Sequence, residues 1–180
     1  MNGNHLWKTR TYLVGHMQYA DGSSWREYIT PHLHKMGITV FNPYKKPFIK
    51  DVQESSDAKE KLLEAQKTNN FDFLAEKMRE IRTFDLNLVD RSDFIIAHIE
   101  PKISSWGSAE EIVTAVRMKK PIFLSIEGGK SQCPLWIFGM IPHKYIYNNI
   151  DEILEVLRKI DSGKKEIDSS RWRLLRKEYR

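Results

Sequence analysis

Five short apolar segments, separated by stretches with helical spacing, constrain what this chain can fold into. Each segment is rich in β-branched and aromatic residues and nearly continuous in apolar character, which is typical of strands covered on both faces. Strands that alternate with helices favour a parallel sheet, because parallel neighbours need a crossover connection. We therefore predict a doubly wound α/β fold, Rossmann- or flavodoxin-like, with a parallel five-stranded sheet and helices on both faces. The predicted strands span residues 12–17, 38–41, 94–99, 121–126 and 145–147.

Helical patterns fill the intervals between these strands. The predicted helices span residues 24–36, 57–89, 108–119 and 151–160. The polar run 67–70 predicts a break in the second of them, and Gly37 stands where a helix C-cap commonly requires glycine. Pro31 interrupts the first pattern and predicts a kink or a restart of that helix. The lysine-rich stretch 43–56 is predicted to be a long loop over the carboxyl edge of the sheet, and such loops are often functional.

Charge and length predict one domain followed by a basic tail. The net charge is +5 over 180 residues, and the last ten residues hold five cations and one anion. The body is therefore nearly neutral, and we do not expect it to bind nucleic acid. We predict a domain over residues 1–160 and a helical basic tail over 161–180. This tail has two interpretations, a solvated terminal helix or a segment that docks on a neighbouring subunit or on nucleic acid.

Several classes of protein are not expected. The chain has no apolar run near the ~18 residues that a membrane span needs, and its first residues lack the order of a secretory signal. Its single cysteine, Cys133, cannot form an internal disulfide, which fits a reducing compartment. Scattered histidines, and a sequence without a phosphate-loop or dinucleotide motif, predict neither a metal nor a cofactor. We therefore expect a soluble, cytoplasmic protein that acts on a small molecule.

A glutamate pair follows the predicted strand 94–99. The segment Gly107-Ser108-Ala109-Glu110-Glu111-Ile112 opens the next predicted helix at the carboxyl end of that strand, where open α/β sheets bind ligands. Glu111 is either a catalytic carboxylate or the second half of a capping box with Ser108, and the residues alone do not separate the two. Glu110 is predicted to be a solvated carboxylate of the first helical turn.

Other candidate residues lie near the ends of predicted elements. Asp85 stands among apolar neighbours inside a predicted helix and is either a pocket-facing acid or a solvated one. Gly15 lets a ligand approach the backbone at the end of the first strand, and His16 either contacts that ligand or is structural. Trp106 and Trp136 either stack on a planar base or pack in the core. Together these residues predict a small-molecule site at the carboxyl edge of the sheet.

Three of these segments together resemble the nucleoside 2-deoxyribosyltransferase-like superfamily. They are Tyr12-Leu13-Val14-Gly15-His16-Met17, Asp85-Leu86-Asn87 and Gly107-Ser108-Ala109-Glu110-Glu111-Ile112. The stretch Gly37-Ile38-Thr39-Val40-Phe41-Asn42-Pro43 is also similar to a turn in small relatives of those enzymes. The resemblance implies that Glu111 is the nucleophile and that Asp85 contacts the nucleobase. The chain departs from the family pattern at His16, Ser105 and Val113, where a proline, a sugar-orienting aspartate and a glycine are usual.

The resemblance also implies a reaction at an N-glycosidic bond. We expect Glu111 to cleave or transfer this bond in a 2-deoxyribonucleoside or its 5′-monophosphate through a covalent intermediate, with Asp85 as general acid. In a hydrolase version of this hypothesis, water is the sole acceptor, and Arg26, Lys45 or Lys46 receives the phosphate. The implied substrate-binding residues are Gly15, His16, Met17, Trp25, Asn42, Trp106, Gly107 and Ser108.

Assembly and catalysis each leave an alternative open. The resemblance implies a homo-oligomer in which a neighbouring subunit completes the pocket. The alternative to an enzyme is a non-catalytic nucleotide-binding sensor or scaffold of the same fold. The departures at Ser105 and Val113 support that alternative.

Overall fold

The strands confirm the predicted architecture. The computed structural model describes residues 4–17, 20–45 and 56–165. The strands are β1 Arg10–Gly15, β2 Thr39–Phe41, β3 Phe94–Ile99, β4 Ile122–Ile126 and β5 Ile146–Tyr147. All pairs of neighbours are parallel, in the order β2-β1-β3-β4-β5. This is the flavodoxin-like order of doubly wound sheets, in which ligands bind outside the carboxyl ends of the strands.

Helices cover both faces of the sheet. The helices are α1 Ser24–Lys35, α2 Ser56–Lys67, α3 Phe71–Arg91, α4 Trp106–Arg117, α5 Leu135–Phe138 and α6 Ile150–Asp161, and short 3₁₀ turns lie at Ala20–Ser23, Lys130–Gln132 and His143–Tyr145. Helix α1 packs against α6 on one face, and α3 packs against α4 on the other. The short α5 and the 3₁₀ turns were not predicted, because three or four residues are too few to display a helical period.

The central strands are buried on both sides, which explains their continuous apolar character. Ile95 and Ile96 of β3 are both fully buried, although successive side chains of a strand point to opposite faces. Phe123 of β4 lies opposite Ile96, and its ring packs edge-on against Phe94 with 5.8 Å between the ring centroids. This apolar packing fixes the positions of the strand ends from which the site is built.

The first helix ends where the sequence predicts and continues through a residue where a break was expected. Gly37 has a φ of +71°, and the amides of Gly37 and Ile38 donate to the carbonyls of His34 and Leu33, as in a glycine-terminated helix. Pro31 lies inside α1, which runs without interruption. The predicted restart is therefore wrong. Pro31 is on the exposed side of the helix, where a carbonyl that loses its amide partner can bind water.

The predicted break between two later helices is confirmed. Helix α2 ends at Lys67, and α3 begins at Phe71. Between them Asn69 has a φ of +58°, a conformation that asparagine adopts more readily than most residues. The side chain of Asn70 accepts a hydrogen bond from the amide of Phe73 at 3.4 Å and so caps the start of α3. The polar run thus ends one helix and begins the next.

Some predicted features lie outside the described residues. They include most of the predicted loop 43–56, with Lys46, and residues 166–180 of the predicted tail. Helix α6 ends at Asp161, and the proposed boundary between domain and tail near residue 160 stays a prediction. None of the helices in the described ranges has the length and apolar character of a bilayer-spanning segment.

We expect the substitution Gly37→Ala to destabilise the fold. Alanine adopts the positive φ of this position only at a cost of about 1–2 kcal/mol, and its Cβ would collide with the ring of Trp7. Chemical denaturation is expected to show a loss of about 1–3 kcal/mol in the free energy of unfolding.

The matched control is Gly107→Ala. Gly107 is the second residue of α4, and a Cβ built there meets nothing within 4 Å. Alanine at this position is expected to leave the free energy of unfolding unchanged or to raise it by up to about 1 kcal/mol. Equal stability of the two variants would contradict the role assigned to Gly37.

Candidate active site

A buried arginine holds the exit of β1. Arg26 of α1 is fully buried, and its guanidinium donates to the carbonyls of Leu13 at 3.2 Å and Gly15 at 2.8 Å. It donates further to the carbonyls of His16 and Gly22, so that one side chain binds both ends of the loop between β1 and α1. The hydrolase hypothesis counted Arg26 among the cations that receive a phosphate. That interpretation is wrong, because the guanidinium is buried against backbone carbonyls.

Gly15 is required by packing at the same place. A Cβ on Gly15 would lie 2.9 Å from the carbonyl oxygen of His98, 3.1 Å from Arg26 Nη2 and 3.2 Å from Trp25 Cζ2. The first of these atoms belongs to the backbone of the neighbouring strand and cannot move away. The described contacts of Gly15 are thus with the protein, and its contact with a substrate stays a prediction.

Two carboxylates converge on a buried phenol. The hydroxyl of Tyr12 on β1 donates to Glu111 Oε1 at 2.9 Å, and both side chains are buried. Burial raises the pKa of Tyr12 well above its ordinary value, and the negative charges of Glu111 and Asp85 raise it further. The structure therefore brings the two predicted acids, from α4 and α3, near one side chain. Tyr12 was not predicted as a site residue, because its place in an apolar strand indicates only the core.

Glu111 is not part of a capping box. Helix α4 begins at Trp106, two residues earlier than predicted, and its N-cap is Ser105, whose hydroxyl accepts from the amide of Ser108 at 3.4 Å. The glutamate of a capping box is the third residue of its helix, and that place belongs to Ser108. Glu111 lies in the second turn, so the expected support from first-turn amides is also wrong.

Glu110 links α4 to α3. It was predicted to be a solvated carboxylate of the first turn, but it lies in the second turn, and the guanidinium of Arg82 binds both of its oxygens. The Nε of Arg82 is 2.7 Å from Glu110 Oε2. The charge of Arg82 lowers the pKa of Glu110. The two adjacent glutamates of α4 therefore have different surroundings, since one is exposed to an arginine and the other is buried against a tyrosine.

A cavity of about 400 Å³ opens at the carboxyl end of β3, between α4 and α5. Most of its wall is apolar, and the polar groups on it come from two histidines, one glutamate and two serines. Small-molecule sites commonly have this composition and a volume of ~300–1,000 Å³. Two of the predicted substrate-binding residues, His16 and Ser108, are in the wall, whereas Glu111 and Asp85 are not. The lining residues are His16, His98, Ile99, Glu100, Ile103, Ser105, Ser108, Ala109, Ile112, Val113, Pro134, Trp136, Ile137 and Met140.

Two histidines on this wall have carboxylate neighbours. His16 Nε2 is 2.5 Å from Glu100 Oε1, and the histidine is almost completely buried. His98 Nδ1 is 2.7 Å from the hydroxyl of Ser125, and its Nε2 is 3.6 Å from Glu127 Oε2. Burial is the main cause of a lowered pKa at His98. His98 and Glu100 were not predicted, although a histidine at the carboxyl end of an otherwise apolar strand was a visible signal.

The other predicted binding residues are dispersed around this edge. Asn42 is buried after β2, and its side chain accepts from the amide of Tyr44, whose hydroxyl donates to the carbonyl of Met17 at 3.3 Å. Trp25 is buried, and its ring lies 5.5 Å from that of His98 between centroids. Residues Trp106 and Gly107 form the first two positions of α4, and Trp106 is 87% exposed. In the parts of the chain described, no three histidine, cysteine or acidic side chains lie together as metal ligands would.

We expect the stability of the fold to decline in mild acid because of His98. Its folded-state pKa lies below the ordinary value of 6.5, so the unfolded chain binds this proton first as the pH falls. The contribution of His98 is therefore fully present above about pH 6.5 and is lost below it. Unfolding measured between about pH 7 and 5 is expected to show a shallower decline for His98→Gln than for the unmodified chain. An imidazole NMR titration with its midpoint above 6.5 for His98 would contradict this assignment.

Comparisons with known proteins agree with this architecture. Among solved structures, the 2-deoxyribosyltransferase of the psychrotolerant bacterium Bacillus psychrosaccharolyticus superposes with a TM-score of 0.57 at 16% identity, over 81% of this chain and 90% of that one. The CMP N-glycosidase BcmB of Clostridium botulinum gives a TM-score of 0.49 at 20% identity, over 84% of this chain and 99% of that one. No curated protein sequence matches the chain significantly.

At these identities the first superposition establishes a shared fold. The sequence itself gives the more specific result. A family model described as "Nucleoside 2-deoxyribosyltransferase YtoQ" matches residues 12–160, which is most of the chain and includes Tyr12, Asp85 and Glu111. The chain therefore belongs to the nucleoside 2-deoxyribosyltransferase YtoQ family.

Proposed function

We propose that this protein cleaves or transfers the N-glycosidic bond of a 2-deoxyribonucleoside or its 5′-monophosphate, with Glu111 as the nucleophile. Family membership supports the class of reaction. The observation that carries the assignment to Glu111 is its contact with Tyr12, which holds a buried carboxylate at 2.9 Å from a phenol hydroxyl. A carboxylate that is oriented in this way is suited to attack on carbon, since its position is fixed before the substrate arrives.

The reaction proceeds in two displacements. A carboxylate oxygen of Glu111 forms a bond to the anomeric carbon C1′ while the bond from C1′ to the base nitrogen breaks, and the base leaves with the electron pair. Asp85 donates a proton to the departing base, a role that general acids commonly fill with a gain of ~100- to 10,000-fold. A second base or water then attacks C1′ and releases Glu111, as in retaining glycosidases.

Tyr12 orients the nucleophile in this proposal. Its hydroxyl is buried, and the raised pKa keeps it protonated, so that it remains a donor to Glu111 over the whole physiological range. The substrate contacts that we propose from the sequence come from Gly15, His16, Met17, Trp25, Asn42, Trp106, Gly107 and Ser108. Of these, His16 and Ser108 have the strongest support, because both line the cavity beside α4.

A non-catalytic nucleotide-binding protein is the second candidate. It is supported by Ser105, whose hydroxyl caps α4 at a place where a sugar-orienting aspartate is usual in the family pattern. Val113 also stands on the cavity wall where a glycine is usual. Such a protein binds nucleosides or nucleotides and releases no base during long incubation.

We also propose that the chain forms a homo-oligomer. Leu135 and Trp136 of α5 are 88% and 82% exposed, and Phe138 is partly exposed beside them. Large apolar side chains grouped on a surface commonly mark a protein contact. Sedimentation measurements of molecular mass test this proposal directly, and a monomer at high concentration would refute it.

Substitution of Glu111 tests the enzymatic proposal. Glu111→Gln keeps the size of the side chain and an oxygen that accepts from Tyr12, but it removes the nucleophilic charge. We expect a loss of at least about a thousandfold in turnover, with the thermal unfolding transition little changed. The measurement is the release of free base from a panel of 2-deoxyribonucleosides and their monophosphates, with and without a second base to separate transfer from hydrolysis.

The matched control is Glu110→Gln, the same change at the adjacent residue of α4. Its carboxylate pairs with Arg82 and not with the proposed site, so turnover is expected to stay within about twofold of the unmodified protein. Equal losses in the two variants, or full activity of Glu111→Gln, would refute Glu111 as the nucleophile. Substrate binding without any release of base by the unmodified protein would favour the second candidate.

The orienting role of Tyr12 has a separate test. Tyr12→Phe retains the ring in the core and removes only the donor to Glu111, so we expect kcat to fall about tenfold while the free energy of unfolding falls by about 1 kcal/mol. Tyr147→Phe serves as control, because Tyr147 is also buried and, among the described residues, its hydroxyl has no hydrogen-bond partner. An unchanged kcat in Tyr12→Phe would show that the contact is structural only.

A further inference from the structure

The cavity and the proposed nucleophile occupy adjacent faces of α4. Helical residues three and four apart share a face, and Ser105, Ser108, Ala109 and Ile112 present such a face to the cavity. Glu111 follows Ser108 by three residues, so Ser108 belongs both to the cavity wall and to the face that carries Glu111. One helical turn, ~5–6 Å between Cβ atoms, therefore separates the carboxylate from the cavity.

Helix α3 lies on the other side of Glu111. Glu110 of α4 binds Arg82 of α3, and Asp85, one helical turn beyond Arg82, is the proposed acid for the leaving base. The order around α4 is thus Asp85, then Glu111, then Ser108 and the cavity. A nucleoside with C1′ at Glu111 and its base towards Asp85 directs the 5′ end of its sugar towards Ser108. This orientation rests on the proposed function.

The wall of the cavity is unsuited to a phosphate. None of the fourteen residues that line it, all from the described part of the chain, is lysine or arginine. The carboxylate of Glu100 is on the wall, and in the described residues only its Oε1 has a hydrogen-bond partner, which is His16. Even with a proton on His16 this pair carries no net positive charge. A phosphate there would meet a carboxylate oxygen and apolar side chains instead of the cations that phosphates require.

We propose that this cavity receives the 5′ end of the nucleoside and selects an uncharged 5′ group over a 5′-phosphate, with Glu100 as the residue that sets this specificity. A 5′-hydroxyl donates to the free oxygen of Glu100, and an apolar 5′ substituent packs against Ile103, Ile137 and Met140 on the same wall. A phosphate dianion has no proton to donate and is repelled by the same oxygen.

The test is binding to the Glu111→Gln variant, which is measured by calorimetry and needs no turnover. The ligands are the four common 2-deoxyribonucleosides, their 5′-monophosphates and the matching 2′,5′-dideoxynucleosides, which lack the 5′-oxygen. For each base that binds, we expect the nucleoside and its 5′-deoxy analogue to bind at least about tenfold more tightly than the monophosphate. Monophosphates that bind as tightly as nucleosides would overturn the proposal, and so would failure of all these ligands to bind.

Two further variants assign the preference to the cavity. Glu100→Gln, added to Glu111→Gln, is expected to reduce the preference about tenfold by strengthening the binding of the monophosphate. Val113→Arg places a cation on the wall at a position that is 40% exposed, so the variant is expected to fold and to bind the monophosphate more tightly. The controls are Glu155→Gln on α6 and Met118→Arg just after α4, neither of which lines the cavity.

The outcomes separate this inference from the proposed function. An unchanged preference in both Glu100→Gln and Val113→Arg would refute the inference even if Glu111 is shown to be the nucleophile. Faster release of base from monophosphates than from nucleosides by the unmodified protein would do the same. A preference for nucleosides that depends on Glu100, without any release of base, would support the inference and refute the reaction.

Discussion

The buried guanidinium of Arg26 is the interaction on which the candidate site depends. A buried charge is costly unless its donors are satisfied, and the planar fork of arginine binds several acceptors in one fixed arrangement. Here the acceptors are backbone carbonyls at the exit of β1, which lie where the strand stops pairing. The loop that carries His16 to the cavity wall therefore has one conformation, and Gly15 packs against the carbonyl of His98 within it. The geometry of the site is thus built from the backbone upward.

The strands were the most predictable part of this protein, and their limits were set by contacts that a local pattern does not contain. The predicted strand 94–99 coincides with β3, because burial on both faces leaves an uninterrupted apolar run. Strand β1 begins at Arg10, two residues before the predicted start. Arg10 pairs with Asp93, which precedes β3, with 3.0 Å between Nη2 and Oδ1. A polar residue that begins a strand by pairing with a distant partner resembles a loop residue in the sequence.

The candidate site was predicted in its acids and missed in their partners. Glu111 and Asp85 stand out because charged residues interrupt helical faces that are otherwise apolar. The start of α4 was placed two residues too late, since Ser105 and Ser108 are equally good N-caps in the sequence. The contact that distinguishes Glu111 is to Tyr12, 99 residues earlier in the chain, and no local spacing reveals it. The cavity wall requires the same kind of long-range information, because β1, β3, α4 and α5 all contribute to it.

The borders of the described sheet carry a consequence for how copies of this protein meet. The outer strands β2 and β5 contain three and two residues, whereas the central strands contain five or six. So short a margin offers few unsatisfied amides and carbonyls as a template for a foreign strand. Growth of the sheet from one molecule into the next, the common route to fibres, is therefore disfavoured. Side chains such as those of α5, rather than continuous ladders of main-chain bonds, are left to join one copy to another.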